Sequence, residues 1–357
     1  MARLLIFSDV HGNLAALNAL LSYIDEDSLD GFRCLGDVVG YYGFPDKVLE
    51  AVEQLDPDFR IGNHEIGVTH DECGADLNFQ AVLAAMRHRK HLMSSGKWEA
   101  LRAAALDEGR QDTRHEQLDG LALSYVHATP AAGTPFHKVC GNYIRPTRIL
   151  RADQQDWGTL SAHFSAAHAQ NGTDLNICFV GHSHTAMIAL FEGDQLYFGE
   201  ATYGQPMSLD GLQGTVLINT GSVGQPRDNV PLYNGMKLAH GVVLDTAERT
   251  VTFVAAPYAV NFGRMSNALE RDSFTHNMPD DLLIETYYAL GRRGILRQAV
   301  ENPSQSLNEL RRLFDEMWQQ ETDRLLAMIE HPVVQDIADW AITYTHKGFT
   351  LKHSAFT

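Results

Sequence analysis

The sequence predicts an α/β protein built on two sheets, and three observations carry that expectation. Short β-rich apolar runs, each ending in a polar or glycine-containing turn, recur through the first two thirds of the chain. Leucines and valines at helical spacing separate the first of these runs. From Ala186 onward the runs crowd together with Gly and Asp turns between them, the pattern of hairpins rather than helical crossovers.

The elements follow in order. Residues 4–7 read as a buried strand, after which Leu14, Leu17, Leu21 and Ile24 recur at helical spacing before a second strand at 32–35. Val48, Val52 and Leu55 repeat the helical pattern ahead of a third strand at 58–61, and this β-α-β-α-β order indicates an α/β sheet. Residues 65–120 are rich in Ala, Leu and Arg with little strand character, and are expected to form two or three helices over the sheet edge, covering a site. Residues 122–126 and 177–180 read as further buried strands. Runs at 186–191, 195–198, 215–219, 241–244 and 250–254 are closely spaced, and an antiparallel second sheet is the simplest reading of them. After Tyr258 the strands are expected to stop. Residues 280–290 and 306–329 read as helices, the second opened by a Ser306/Glu309 capping box, carrying an apolar stripe from Leu307 to Met328, and followed by Pro332. The chain thus divides into a unit of residues 1–258, with a helical insertion at about 65–120, and a helical C-terminal extension of residues 259–357.

Composition bounds the function. With 357 residues, 44% of them hydrophobic, the chain fills a substantial core, which excludes a disordered or fibrous protein. Lys and Arg total 28 against 45 Asp and Glu, and the formal charge of -17 repels polyanions, so extended nucleic acid is not the expected partner. Any phosphate-bearing ligand then needs a local source of positive charge. Cys34, Cys73, Cys140 and Cys178 form no CxxC pair, which suggests neither a disulfide framework nor a cysteine zinc site and fits a reducing cytosol. The N-terminal apolar run is too short for a signal-peptide core, and no later run approaches a membrane span. The expectation is a cytoplasmic protein with no membrane partner.

The chemistry gathers at the strand ends. The five early strands are each followed closely by hard or borderline metal ligands: Asp9 and His11; Asp37; Asn63 with His64; His127; and His182 with His184. Ligands of open α/β sheets bind beyond the carboxyl ends of the strands, so these residues are expected to converge on one crevice. Carboxylates, imidazoles and an amide oxygen suit two divalent cations, Mn²⁺ first and Fe, Zn, Ni, Co or Mg otherwise, with one shared carboxylate keeping them about 3.5–4 Å apart. Two such cations supply the positive charge that the acidic chain lacks. A small phosphoester is therefore an admissible substrate.

The words Asp9-Val-His11-Gly-Asn13, Gly36-Asp37-Val-Val-Gly40, Gly62-Asn63-His64-Glu65, Val126-His127 and Gly181-His182-Ser-His184 resemble the signature of calcineurin-like metallophosphoesterases. The run Asn219-Thr-Gly-Ser-Val-Gly-Gln-Pro-Arg-Asp228 resembles their small prokaryotic phosphodiesterase branch, and the likeness covers about residues 2–258. It implies a four-layer α/β/β/α sandwich of two mixed sheets flanked by helices. It further implies that Asp9, His11, Asp37 and His184 hold one metal, while Asp37, Asn63, His127 and His182 hold the other. His64, the candidate catalytic residue, would face the phosphoryl group and protonate the leaving oxygen or stabilise charge, with Glu65 as its supporting partner. A hydroxide bridging the metals would attack phosphorus in line. The second word, Asp37-Val-Val-Gly40-Tyr41-Tyr42, lacks the arginine that protein Ser/Thr phosphatases of this superfamily carry after the aspartate, which disfavours a phosphoprotein substrate.

The resemblance points to a phosphodiesterase acting on a small, nucleotide-like substrate. A phosphomonoesterase or nucleotidase remains as an alternative, as does a non-catalytic protein-binding scaffold on the same fold. Candidate substrate-binding residues are Asn13, Tyr41, Tyr42 and Arg227: Tyr41 and Tyr42 as platforms for a base, Arg227 as a phosphate donor, and Asn13 as a phosphate contact if it is not simply a helix N-cap. The other histidines, His70, His88, His91, His115, His163 and His240, read as solvated surface. The stripe from Leu307 to Met328 reads as core-facing, and otherwise as a surface for a homo-oligomer.

Overall fold

The computed structural model describes residues 1–24, 28–56, 58–70, 77–130, 175–192, 195–227, 236–259, 307–313, 316, 344–346 and 349–354. The chain opens with β1 (Arg3–Phe7), α1 (Leu14–Tyr23), β2 (Gly31–Cys34) and α2 (Pro45–Leu55). A helical stretch follows, α3 (Asn63–Thr69), α4 (Phe79–Ser95), α5 (Trp98–Leu106) and α6 (Glu108–Gln111), and then the hairpin β3 (Arg114–Leu118) and β4 (Leu121–Tyr125). The remaining strands are β5 (Leu175–Val180), β6 (Met187–Glu192), β7 (Gln195–Glu200), β8 (Met207–Ser208), β9 (Gly214–Asn219), β10 (Met236–Asp245), β11 (Thr250–Ala259), β12 (Tyr344–His346) and β13 (Phe349–Ser354).

Both sheets are mixed. The first runs β2-β1-β10-β11-β8 and the second β12-β13-β7-β6-β9-β5-β4-β3. They face each other across a core in which strand alternation decides which layer each side chain joins. On β1, Leu4 and Ile6 meet Ile177, Phe179, Ile188 and Val216 of the second sheet, while Leu5 and Phe7 point the other way, against Leu17 and Leu20 of α1 and Val48 and Val52 of α2. β10 repeats the division, with Val242 and Leu244 between the sheets and Val243 beneath the helices. β5 is buried on both faces along its whole length. The expected fold class, two mixed sheets in an α/β sandwich, is the observed one.

Four details differ from the sequence expectation. Residues 58–61 are not a strand, because their amides go to separate partners: Arg60 N–H donates to the Cys34 carbonyl and Ile61 N–H to that of Arg110, so no ladder forms. β3 was not foreseen, since this edge strand reads Arg-His-Glu-Gln-Leu and carries no apolar alternation. The late strands do not make a sheet of their own. β6, β7 and β9 extend the second sheet, β9 lying parallel to β5, whereas β10 and β11 return to the first. Nor do strands stop at Tyr258, for β13 pairs antiparallel with β7 and β12 with β13 at the far end of the chain. Residues 307–313 are helical, as the capping box predicts; the expected helix at 280–290 and the rest of 306–329 lie largely outside the described residues. No described helix is long and apolar enough to cross a membrane.

Candidate metal centre

Four loops meet beyond the strand ends and are sewn together by their backbones. Asp9, His11 and Gly12 N–H groups donate to the carbonyls of Gly36, Asp37 and Val38 at 3.0, 2.8 and 2.7 Å, which fastens the loop after β1 to the loop after β2. The loop after β9 joins from the other side, where Gly224 N–H donates to the Asp9 carbonyl at 3.0 Å and the Ser222 hydroxyl donates to the same oxygen at 2.8 Å. Asn219 uses its amide nitrogen to hold the Gly181 carbonyl and the Ser183 hydroxyl, each at 2.8 Å, so it shapes the His182–His184 turn. This is the role of the described residues, 219–227, of the run at 219–228. Asp9, His11, Asp37, His182 and His184 all have φ between 52 and 62°, the left-handed region that costs a non-glycine residue of order 1 kcal/mol. The strained turns aim these side chains into one buried space.

Two clusters of ligand atoms result. Asp9, His11, Asp37 and His184 bring theirs within 4.8 Å of one another, and Asp37, His127 and His182 do the same. Asp37 belongs to both: its Oδ2 stands 3.9 Å from His11 Nε2 and 3.3 Å from His127 Nε2. Asn63 joins the second cluster, with Oδ1 at 3.2 Å from His127 Nε2. The seven residues singled out by the sequence therefore converge.

The donor chemistry of these clusters fits cations. His11 Nδ1 donates to the Val39 carbonyl, His184 Nδ1 to that of Gln225, and His127 Nδ1 to that of Leu35. Since a carbonyl only accepts, each ring must carry a proton at Nδ1, which leaves the lone pair of the neutral ring at Nε2. His11 Nε2 and His184 Nε2 nevertheless face each other at 3.0 Å, and His127 Nε2 faces His182 Nδ1 at 3.2 Å. Asp9 spends Oδ2 on the His182 N–H at 2.9 Å and leaves buried Oδ1 without a hydrogen-bond partner, 3.2 Å from His184 Nε2. The His11 and His184 lone pairs converging with the Asp9 carboxylate oxygen in a buried site call for positive charge between them. Burial works against charge on both Asp37 and His127, yet the imidazoles hold the Asp37 carboxyl well below its ordinary range, and Asp37 helps push His127 up to about 9, so His127 carries a proton toward Asp37 that a cation bound there would displace. Burial holds His11 and His184 well below the ordinary histidine range, in the neutral form that binds metal.

His64 lies beside this pair without joining a cluster. Its backbone N–H donates to Asp37 Oδ1 at 2.9 Å, its ring meets that of His11 edge-on at 4.6 Å between centroids, and burial lowers its pKa. Glu65 does not support the His64 ring, as the resemblance implied. Its carboxylate instead accepts three backbone N–H groups, from Asp37 and Gly62 on Oε2 at 2.9 and 2.8 Å and from Val39 on Oε1 at 3.1 Å. The short helix α3 turns Glu65 back toward the loop after β2.

The substrate-binding candidates separate. Asn13 is the N-cap of α1: Oδ1 accepts the Ala16 N–H at 3.2 Å and Nδ2 donates to the Gly224 carbonyl at 3.0 Å, so its polar groups are committed within the protein. Tyr41 and Tyr42 are 5% and 6% exposed, which leaves neither ring as an open platform for a base. Tyr41 packs against both His11 and His64 at 4.8 Å between centroids. Arg227 is half-buried, its N–H donates to the His184 carbonyl at 2.9 Å, and its guanidinium reaches the Tyr41 hydroxyl at the margin of the centre. His88 and His240, expected on the surface, are each 1% exposed.

The comparisons with known proteins agree with this site. The calcineurin-like phosphoesterase family model matches residues 2–186. The chain belongs to that family, and it is a metal-dependent phosphoesterase whose clustered Asp and His residues suit a dinuclear centre. An uncharacterized protein from Methanocaldococcus jannaschii is 28% identical over 255 residues, 71% of this chain and 87% of that one. Among solved structures, a metallophosphoesterase from Sphaerobacter thermophilus shares the fold with a TM-score of 0.51 and 23% identity, over 80% of this chain and 98% of that one. A hypothetical protein from Pyrococcus horikoshii OT3 does so with a TM-score of 0.50 and 15% identity, over 79% and 96% of the two chains.

Proposed function

We propose that the protein hydrolyses small phosphodiesters of nucleotide size, holding one cation on Asp9, His11, Asp37 and His184 and a second on Asp37, Asn63, His127 and His182. The observation that carries the dinuclear reading is Asp37 Oδ2, which serves both clusters at once. Two divalent cations bound there would supply a nucleophile from water at neutral pH and neutralise charge on the phosphoryl oxygens. Mn²⁺ is the first choice, because imidazole, carboxylate and amide oxygen donors in this mixture suit it.

The chain's own residues do the rest. His64, fastened to Asp37 by its N–H, gives a proton to the departing oxygen. Arg227, the guanidinium bearing on Tyr41, His64 and His184, meets one non-bridging phosphoryl oxygen. The run at 219–228, which resembles the small prokaryotic phosphodiesterase branch, favours a diester. The missing arginine after Asp37 points the same way. Every proposed ligand lies within residues 1–258, the proposed catalytic unit, while residues 259–357 contribute the outer strands of the second sheet.

Protein stripped with chelator and reloaded with Mn²⁺, Fe²⁺, Zn²⁺, Ni²⁺, Co²⁺ or Mg²⁺ is to be assayed on bis-p-nitrophenyl phosphate, p-nitrophenyl phosphate and cyclic nucleotides. Faster turnover of the diesters with Mn²⁺ is expected. Preference for the monoester would overturn the substrate class, and metal-loaded protein inert on every phosphoester would favour a binding scaffold.

A further inference from the structure

His88 sits in the third turn of α4, inside the helical insertion, and none of the sequence signals marks it. Its ring bridges a single tight turn: Nδ1 accepts the Gly40 N–H at 3.0 Å and Nε2 donates to the Tyr42 carbonyl at 2.5 Å. The same turn closes on itself, with Tyr42 N–H reaching the Gly40 carbonyl at 2.7 Å and the His11 carbonyl at 2.9 Å. Asn78, the N-cap of α4, adds a second hold by donating to the Tyr41 hydroxyl at 3.2 Å. Tyr41, at φ 49°, holds a left-handed backbone that is strained for a non-glycine residue, while Gly40 supplies φ 104° freely.

The turn packs directly against the His64 ring. A Cβ on Gly40 would collide with His64 Nδ1, and Tyr41 packs against the His64 and His11 rings. His64 Nδ1 is buried without a hydrogen-bond partner, and Glu65 is committed to backbone amides elsewhere. Packing against this turn therefore has a large share in fixing the direction of the His64 ring. We propose that His88 is a positioning residue for phosphoester hydrolysis, by which α4 clamps the Gly40–Tyr42 turn and thereby aims His64 at the leaving oxygen. The inference rests on the reading of His64 as the proton donor. Only a neutral imidazole can accept at Nδ1 and donate at Nε2 together, and burial lowers the His88 pKa to about 3, which keeps it neutral.

A double-mutant cycle on the full-length, Mn²⁺-loaded protein tests this, with a cyclic nucleotide and bis-p-nitrophenyl phosphate as probes. His88→Leu is expected to lower kcat on the cyclic nucleotide by about 10–100-fold. KM and metal content should hold, and the loss on the nitrophenyl ester should be smaller, because p-nitrophenolate departs without a proton. In a His64→Gln background the same change should cost nothing further, since the group it positions is gone. His88→Gln, which keeps the donor to Tyr42, should fall between wild type and His88→Leu, and carries the cycle if the leucine variant does not accumulate folded. Equal losses in both backgrounds would mark His88 as merely structural and overturn the inference. Wild-type kcat for His64→Gln alone would instead defeat the reading of His64 itself, and the clamp on it as well.

Discussion

Glu65 holds Asp37 by the backbone: one carboxylate oxygen accepts the N–H groups of Asp37 and Gly62 at 2.9 and 2.8 Å, and the other accepts that of Val39 at 3.1 Å. Three donors converge on its two oxygens, so an amide in its place must set its NH₂ against at least one backbone N–H. Glu65→Gln is therefore expected to weaken metal binding by about 10–100-fold, the usual cost of losing a group that orients a ligand. Metal titration of stripped protein reads this directly. Wild-type affinity in the variant would show that the loop after β2 keeps its shape unaided.

The two aspartates of the centre should respond differently to the same substitution. Asp37 spends Oδ1 on the His64 N–H and Asp9 spends Oδ2 on the His182 N–H, so an asparagine at either position keeps its carbonyl there and turns NH₂ toward the metal side. Asparagine also tolerates the left-handed backbone at both positions, with φ 52 and 57°, better than alanine would. Asp37→Asn is expected to empty both clusters and Asp9→Asn only the one shared with His11 and His184. Metal per chain, measured by elemental analysis, decides. Two tightly held ions in the Asp37 variant would end its bridging role.

Much of this centre is legible in the sequence because its chemistry is local. Asp9, His11, Asp37, Asn63, His127, His182 and His184 stand at the ends of apolar runs or in short glycine-bearing words, and the rule that sites lie beyond strand ends gathers them. What stays hidden depends on non-local pairing. β6 and β10 are both apolar-rich, and nothing within either run says that one joins the second sheet and the other the first. Glu65 adjoins His64 in sequence, which invites a pairing that the first turn of α3 precludes. His88 lies in a helix rich in Arg, Lys and His, where a histidine reads as solvated; only the approach of α4 to the Gly40–Tyr42 turn buries it. Tyr41 and Tyr42 look like ligand platforms until that same approach covers them.

Burial of His88 also sets an acid limit on stability. Its pKa falls from 6.5 to about 3 in the fold, chiefly through desolvation, with Arg87, His64 and His91 adding like charge and the bond to Tyr42 opposing. A depressed pKa favours the neutral form in the native state. The contribution is thus fully present above about pH 6.5 and is lost as the pH falls from there toward 3, at up to ~1.4 kcal/mol per pH unit. His88→Gln should be less stable than wild type at neutral pH and show a shallower loss of unfolding free energy between about pH 6.5 and 4. Urea titrations of both proteins across that range, under one metal condition, isolate the difference. Parallel curves would mean that His88 is not held neutral by the fold.

The C-terminal strands make a separate demand on the chain. β13 pairs with β7, and β12 with β13, so the last described strands occupy an edge of the second sheet that β7 would otherwise present bare. An uncovered strand offers a row of unpaired N–H and C=O groups to any other chain. The metal ligands lie at the ends of other elements, and none falls in residues 344–354. A chain ended at residue 343 is accordingly expected to keep its metals and its turnover of bis-p-nitrophenyl phosphate per folded chain, while associating with itself through the bared β7. Light scattering over a concentration series reads the association and the assay reads the chemistry. Loss of turnover with both metals bound would place the C-terminal segment in the reaction, and a shortened chain as monodisperse as the full one would show that β7 needs no cover.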